Sequence, residues 1–410
     1  MSLPESKSAV NIAEEVIDWL YTEQLQIDEQ WSYLLPTGFT WWADQYAQTV
    51  EIVGEETGPD GEAGYLICVR TELLRDLDLT ETALVEINAL PMRCASMAGP
   101  VYDVAARRLD LWSLVRVSDD NGSWMRFLLG AAAVIQLAEA RMLAPILAQA
   151  TGALTATSAH PESGTRAVAD EITSAAKTFV SSAGQACAWP EAEFRDAVSH
   201  FRNRPPAMAA TAGVRGFTVE FPFGEQTSLC EVLGDQPHPL YGNGLLVLQR
   251  FPVDARRAGA ERLGESTRRA GAERLGESTR RAGAERLGDS TGSESEGIRL
   301  ALSLNAADLT RELTGYGLGS YVHADGMIYF TGFLPNALHK PGLLPTIYSS
   351  CAARAQAMAA RFVDGRWNAD AYSLDSAVLA RRLEQQRATM PVLEQPVRGC
   401  PMMRARTGGA

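Results

Sequence analysis

The hydrophobic and polar positions of the first 150 residues switch between the helical and the strand period. Between residues 9 and 25, apolar residues recur three or four positions apart, which predicts a helix whose apolar face consists of Ile12, Val16, Trp19 and Leu20. Short apolar runs predict three strands, at 38–43, 49–54 and 65–71. After a helical or irregular segment at 72–90, the pattern predicts strands at 93–98 and 109–117 and a long helix at 124–150.

The second half of the chain shows a similar order of patterns. A predicted helix at 191–201 precedes strands at 217–221, 228–233 and 244–251. An apolar segment at 300–304 and a short helix at 306–313 come next. The runs 321–323 and 327–333 flank Asp325-Gly326, and Asp-Gly between two strands is typical of a type I′ hairpin turn. A closing helix is predicted at 344–363.

Residues 38–70 resemble residues 216–250, which indicates an internal duplication. Gly38-Phe39-Thr40 aligns with Gly216-Phe217-Thr218. Further matches follow in order, and they are Gln48-Thr49 with Gln226-Thr227, Gly54 with Gly234, Gly64 with Gly244 and Arg70 with Arg250. Self-similarity of this kind indicates two copies of one supersecondary unit. The sequence therefore predicts an α+β protein with two repeated α-β-β-β-α-β-β-α units, each an antiparallel sheet flanked by helices.

The patterns divide the chain into four predicted segments. These are a first α+β unit at 1–152, a linker with a short helix at 153–188, a second unit at 189–368, and a C-terminal helix and tail at 369–410. The second unit carries an insertion at 256–291, in which a 12-residue sequence occurs twice as RRAGAERLGEST and once as RRAGAERLGDST. Because long insertions in surface loops cost little stability, we interpret the repeat as a tolerated, solvated insertion. A partner-binding role for it is the alternative.

Charge distinguishes the first part of the chain from the rest. The formal net charge is −13, and residues 1–150 contain 23 Asp and Glu against 9 Lys and Arg. An acidic first half argues against nucleic-acid binding, which needs clustered Lys and Arg. It is consistent with solubility or with a protein partner that has a basic surface.

Cysteine spacing and hydropathy exclude several other classes of protein. The six cysteines have no CxxC spacing, so we expect neither a metal site nor a redox motif, and no cofactor. The N-terminus lacks the basic and apolar regions of a signal peptide. No apolar run of 18 residues predicts a membrane span. We therefore expect a cytoplasmic protein without a membrane contact.

A catalytic alternative rests on Ser174 and Lys177. Their SxxK spacing matches the nucleophile and base of penicillin-recognising serine enzymes, because residues i and i+3 of a helix lie side by side. Tyr241-Gly242-Asn243 and Lys340-Pro341-Gly342 follow in the order of the remaining elements of those enzymes. A serine hydrolase would use Ser174, Lys177 and Tyr241. In the non-catalytic interpretation these residues belong to a solvated helix and two turns.

Two adjacent tryptophans, Trp41 and Trp42, lie in the first predicted strand. Neighbouring side chains of a strand point to opposite faces, so one ring faces away from the core of its unit unless another segment covers it. An exposed tryptophan on an acidic surface would be a binding hot spot. Core packing is the alternative interpretation of both residues.

The element order, the unit size and the acidic first unit resemble the type III secretion chaperone-like fold, which includes the YbjN-like proteins. The resemblance implies paired units that bind extended segments of client proteins and do not catalyse a reaction. A tandem duplication resembles a covalent version of such a dimer. We therefore expect a non-catalytic protein-binding or chaperone-like module that acts as an intramolecular pseudo-dimer. The alternatives are the serine hydrolase and small-molecule sensing between the two units.

Overall fold

The computed structural model describes residues 11–57, 63–93, 96–180, 188–201, 207–253, 289–309 and 318–363. Within these ranges the chain forms two antiparallel sheets packed against helices, so the predicted α+β class with two similar sheet units is confirmed. Most of the 12-residue repeat and the predicted C-terminal helix and tail lie outside the described residues.

The first unit consists of three helices and a sheet. Its elements are α1 (Ile12–Trp19), β1 (Ser32–Leu35), β2 (Gly38–Trp42), β3 (Ala47–Thr57), β4 (Ala63–Arg75), α2 (Glu81–Arg93), β5 (Gly99–Asp103), β6 (Arg108–Val117) and α3 (Gly122–Thr151). A π-helical turn, Leu20–Gln24, extends α1. The strand order is β1-β2-β3-β4-β6-β5, and the short β7 (Leu154–Thr155) pairs with β4.

The second unit repeats this arrangement. Its elements are α4 (Glu191–Phe201), β8 (Ala209–Gly213), β9 (Gly216–Phe223), β10 (Gln226–His238), β11 (Gly242–Phe251), α5 (Asp289–Leu309), β12 (Ser320–Ala324), β13 (Met327–Pro335) and α6 (Leu343–Phe362). The strand order is β8-β9-β10-β11-β13-β12, which is the order of the first sheet element for element. The duplication inferred from sequence therefore extends over both sheets.

The strand expected at 93–98 is β5, which begins at Gly99. Besides the two-residue β7, the sequence pattern missed β1, which was expected to be a connector, and β8. Both are short edge strands, and β1 has no alternation of buried and exposed residues. In the second unit, the apolar segment 300–304 belongs to the single helix α5. The predicted type I′ hairpin between β12 and β13 is confirmed, since Asp325 and Gly326 have φ values of 50° and 74°.

Strand register upholds the match of the Gly-Phe-Thr sequences and corrects other parts of the alignment of the two copies. Phe39 pairs with Val50, and Phe217 pairs with Val232. Gln48 lies opposite Trp41 inside its strand pair, whereas Gln226 lies opposite Phe223 at the end of a hairpin. The match of Gln48-Thr49 with Gln226-Thr227 is therefore not structural, because the two hairpins differ in length. The match of Arg70 with Arg250 is not structural either: Arg70 is level with Thr40 across its sheet, whereas Arg250 is level with Glu220 and not with Thr218.

Glycine is required at the start of β2 and at the start of β9 for the same structural reason. A Cβ at Gly38 would collide with the carbonyl oxygen of Val50, and one at Gly216 would collide with that of Val232. Both strands approach their neighbour so closely that only glycine fits. The shared Gly-Phe-Thr sequence thus marks equivalent positions of the two sheets.

The segment that follows α3 is bound to the first unit. The Ala156 N–H donates to the Leu73 carbonyl at 3.0 Å, the Ser158 N–H to the Gln45 carbonyl at 2.8 Å, and the Asp170 N–H to the Ala43 carbonyl at 2.6 Å. The short helix predicted within the linker is a 3₁₀ helix, Glu171–Phe179, which packs against α3. The expected linker is thus, over 153–180, a part of the surface of the first unit.

Helix α3 forms the centre of the core. By length and composition it resembles a membrane span, but 78% of its most apolar window is buried inside the protein. A buried polar network fixes its position on the sheet: the Gln136 amide donates to Ser113 Oγ at 2.7 Å and accepts the Thr71 hydroxyl at 3.0 Å. Such a fully bonded network specifies one register of helix against sheet.

Candidate functional site

The residues of the serine-hydrolase alternative do not form one constellation. Ser174 and Lys177 are exposed on the 3₁₀ helix, and no hydrogen bond joins them in the described part of the chain. Tyr241 is buried, and its hydroxyl donates to Glu139 Oε1 at 3.4 Å. Lys340 Nζ lies 5.4 Å from the centroid of the Phe127 ring. Tyr241 and Lys340 therefore each contact a residue outside the proposed catalytic set.

Both tryptophans of β2 are buried. The Trp41 indole N–H donates to Gln48 Oε1 at 3.1 Å inside the core. The Trp42 N–H donates to Ser158 Oγ at 2.9 Å, and its ring meets the edge of the His160 ring. The segment after α3 thus covers the tryptophan that faces away from the core. A binding hot spot at this position would require an exposed ring, and neither ring is exposed.

The outer edge of the first sheet exposes apolar side chains. Strand β1 pairs with β2 on one side, and no described strand pairs with its other side. On it, Tyr33 is 58% and Leu34 is 68% exposed. Asp28 and Glu29 precede the strand and are exposed, as is Glu23. We call this surface the acidic edge; it combines an unpaired strand, two apolar side chains and negative charge.

The outer edge of the second sheet is similar in backbone but not in charge. Strand β8 is the equivalent of β1, and it too has no strand partner on its outer side in the described ranges. Met208 and Val214, at its two ends, are exposed. Arg215, next to Val214, pairs with Asp235 at 3.5 Å. We call this surface the neutral edge.

The inner edges of the two sheets face each other. Gly99 of β5 lies against β12, since a Cβ at this position would be 2.7 Å from Ser320 Cβ. The Phe333 N–H donates to the Ser96 carbonyl across the two units at 2.9 Å. Helix α2 packs on α5 and β12, and α5 packs on β5. Each unit thus offers its second helix to the inner edge of the other, the reciprocal pattern of a two-fold dimer.

Two asparagine side chains close the edge of β12. Asn88, from α2 of the first unit, accepts the His323 N–H at 2.8 Å and donates to the His323 carbonyl at 2.7 Å. Asn305, from α5, accepts the Tyr321 N–H at 2.6 Å and donates to its carbonyl at 3.2 Å. These amides take the place of a neighbouring strand. Strand β12 is therefore closed at these two residues, whereas β1 and β8 have no strand neighbour on their outer sides.

A buried carboxyl group lies where the two units meet. Glu139, on α3, accepts the Ser96 N–H and the Ser96 hydroxyl with Oε1, both at 3.0 Å, in addition to the Tyr241 hydroxyl from the second unit. Its Oε2 is buried and has no hydrogen-bond partner among the described residues. Burial raises the pKa of Glu139 to about 8, and the hydrogen bonds from Ser96 and Tyr241 oppose this rise.

Sequence reasoning missed three of these features. Glu139 falls within the long helix predicted at 124–150, and Asn88 falls within the helical or irregular segment at 72–90. The exposed pair Tyr33 and Leu34 lies in a segment that was predicted to be a connector. The only available signal was Glu139 itself, because a charged residue within an apolar helix is costly unless it has a partner.

Comparison with protein-family models found no match, and no curated protein or solved structure is significantly similar to this chain. The parts of the chain described by the structure contain no cluster of three His, Cys, Asp or Glu residues that could hold a metal ion.

Proposed function

We propose that the chain is a non-catalytic, chaperone-like protein-binding module in which two α+β units form an intramolecular pseudo-dimer. The bound partner is an extended, basic segment of a client protein that adds to the acidic edge as a further strand. Main-chain hydrogen bonds would supply affinity, and contacts with alternate side chains would supply specificity.

The observation that carries this proposal is the exposed pair Tyr33 and Leu34 on a strand with one unpaired side. Exposed edges attract other strands, and proteins normally protect them. Here the inner edge of β12 is protected by Asn88 and Asn305. On β1, His160 Nε2 donates to the Ser32 carbonyl at 3.1 Å, so the part offered to a further strand is the exposed pair Tyr33 and Leu34. The reciprocal packing of the two units supports the pseudo-dimer. The resemblance to type III secretion chaperone-like proteins is consistent with both parts.

Negative charge beside the edge favours a basic partner. Glu23, Asp28 and Glu29 are exposed close to β1 in the sequence, and residues 1–150 carry an excess of acidic residues. Attraction between exposed charges weakens as salt increases, since the Debye length falls from about 10 Å at 0.1 M to about 3 Å at 1 M. Binding at this edge should therefore be salt-sensitive.

Affinity capture from a lysate of the source cell, at low and at moderate salt, tests the proposal. The immobilised full chain should retain one or two dominant proteins, and less of them at moderate salt. The double variant Tyr33→Ser/Leu34→Ser should lose them. The matched variant Met208→Ser/Val214→Ser, which changes the neutral edge, should retain them.

Binding to a synthetic peptide taken from the captured protein then separates direct from indirect capture. A basic, extended segment should bind the wild-type chain and the neutral-edge variant alike. If both double variants capture the same proteins as the wild type, the acidic edge is not the binding site and the proposal fails.

A further inference from the structure

Glu139 lies at the junction of the two units, and its contacts come from both. Ser96 belongs to the first unit, and it also joins the units through its carbonyl group, which accepts the Phe333 N–H at 2.9 Å. Tyr241 belongs to the turn between β10 and β11 of the second unit. A single carboxyl oxygen, Oε1, therefore connects α3, the segment before β5 and the second sheet.

The surroundings of this carboxyl group contain little charge. Tyr241 faces it directly, and the His238 ring stacks on Tyr241 with the centroids 5.0 Å apart and on Phe333 with the centroids 4.5 Å apart. Arg141, two residues further along α3, pairs with Asp44 at 3.2 Å. No charged side chain in the described ranges contributes to the shift of the pKa of Glu139, which arises from burial. Loss of its proton would leave a negative charge with hydrogen-bond donors but without a cation.

We propose that Glu139 is a protonation-dependent latch between the two units. The neutral carboxyl group fits the buried junction. The ionised group is better solvated in water, so its formation favours separation of Tyr241 and Phe333 from α3 and Ser96. This regulation does not depend on the identity of a client, and it holds whether or not the acidic edge binds one.

The direction of the pH effect follows from linkage. A solvated glutamate has a pKa of about 4.3, whereas burial raises the pKa of Glu139 to about 8 in the closed junction. The closed state therefore holds one proton more than the open state between these two values. The closed junction is strongest below about pH 4.3, weakens by up to about tenfold for each pH unit above that, and reaches its weakest level above about pH 8.

Hydrogen exchange at the Phe333 amide measures this equilibrium, because that amide bonds across the junction. Exchange of the full-length chain is followed from pH 5 to pH 9 and expressed as protection, after correction for the intrinsic effect of pH. We expect the protection of Phe333 to fall by up to about tenfold per pH unit between pH 5 and pH 8 and then to level off. The Val232 amide, in the centre of the second sheet, serves as the internal reference.

Three variants make the test specific. Glu139→Gln keeps an acceptor at Oε1 but cannot ionise, so the protection of Phe333 should lose its slope between pH 5 and pH 8. Glu15→Gln removes the same charge from an exposed position of α1 and should keep the wild-type slope. Tyr241→Phe removes a hydrogen bond that lowers the pKa of Glu139. The pH at which the protection of Phe333 levels off should therefore rise.

The Tyr241→Phe result decides the matter if Glu139→Gln does not fold. A wild-type slope in Glu139→Gln would overturn the proposal. The proposal would also fail if the protection of Phe333 in the wild type did not change with pH. It would fail as well if Tyr241→Phe did not change the pH at which this protection levels off.

Discussion

Asn88 binds both backbone groups of His323, accepting the N–H at 2.8 Å and donating to the carbonyl at 2.7 Å. The two residues belong to different units of the duplicated chain, so a helix side chain of one unit completes the sheet edge of the other. Asn305 makes the equivalent pair of bonds to Tyr321 from within the second unit. The contact between the units is therefore specific as well as apolar.

Replacing Asn88 should weaken the contact between the units. Asn88→Ala leaves two backbone groups of His323 without this partner, and a lost buried partner costs about 1–3 kcal/mol. Urea denaturation of the full chain should show a loss of that size. Val85→Ala, at an exposed position of the same helix, should change stability by less than about 0.5 kcal/mol. Equal effects of the two variants would show that the paired bonds do not contribute to stability.

The glycines of the repeated Gly-Phe-Thr sequence should be intolerant of alanine. Gly38→Ala and Gly216→Ala each force a methyl group onto a carbonyl oxygen of the neighbouring strand, and overpacking of this kind costs about 1–3 kcal/mol. Thermal denaturation should show a lower midpoint for both. At Gly213 the nearest atom to a Cβ is 3.7 Å away, so Gly213→Ala is a control that should leave the midpoint near that of the wild type.

Two arginines that each pair with an acidic residue four positions away should contribute differently to the free energy of unfolding. Arg166 pairs with Asp170 at 3.0 Å, with side chains 10% and 4% exposed, and its guanidinium also donates to the Trp42 carbonyl at 2.8 Å. Arg195 pairs with Glu191 at 3.2 Å, with side chains 65% and 39% exposed. We expect Arg166→Ala to cost about 3–5 kcal/mol, because it removes one partner of a buried ion pair.

Arg195→Ala is the matched control for that experiment. An exposed pair of this type on a helix contributes about 0.3–0.5 kcal/mol, so this variant should unfold close to the wild-type denaturant concentration. A loss as small as this in Arg166→Ala would mean that the contacts of Arg166 add little to the stability of the first unit.

The chain should not react as an SxxK hydrolase. Ser174 and Lys177 are exposed and share no hydrogen bond within the described ranges, and Tyr241 is buried against Glu139. A serine nucleophile needs a base within hydrogen-bond reach. We therefore expect no covalent labelling by a fluorescent penicillin or a phosphonate probe. Labelling of the wild type that Ser174→Ala abolishes would restore the catalytic alternative.

Local sequence signals predicted most elements of the fold. The apolar period of 191–201 coincides with α4, and the Asp325-Gly326 signal coincides with the hairpin between β12 and β13. Strands β1 and β8 were not predicted, because a segment of four or five residues at a sheet edge has no strong period of apolar and polar residues. The helix predicted at 306–313 overlaps only the end of α5, because only this part of the sequence has an amphipathic pattern.

By itself, the sequence determined the fold class, the duplication and the acidic character of the first part, since these depend on period, repetition and charge along the chain. Only the tertiary structure decided that Trp42 is covered, that Asn88 closes β12 and that Glu139 meets Tyr241. These contacts join residues that are far apart in sequence; Glu139 and Tyr241 are separated by 102 positions. Their chemistry depends on burial and on the partner that the fold brings near, and neither property belongs to a residue alone.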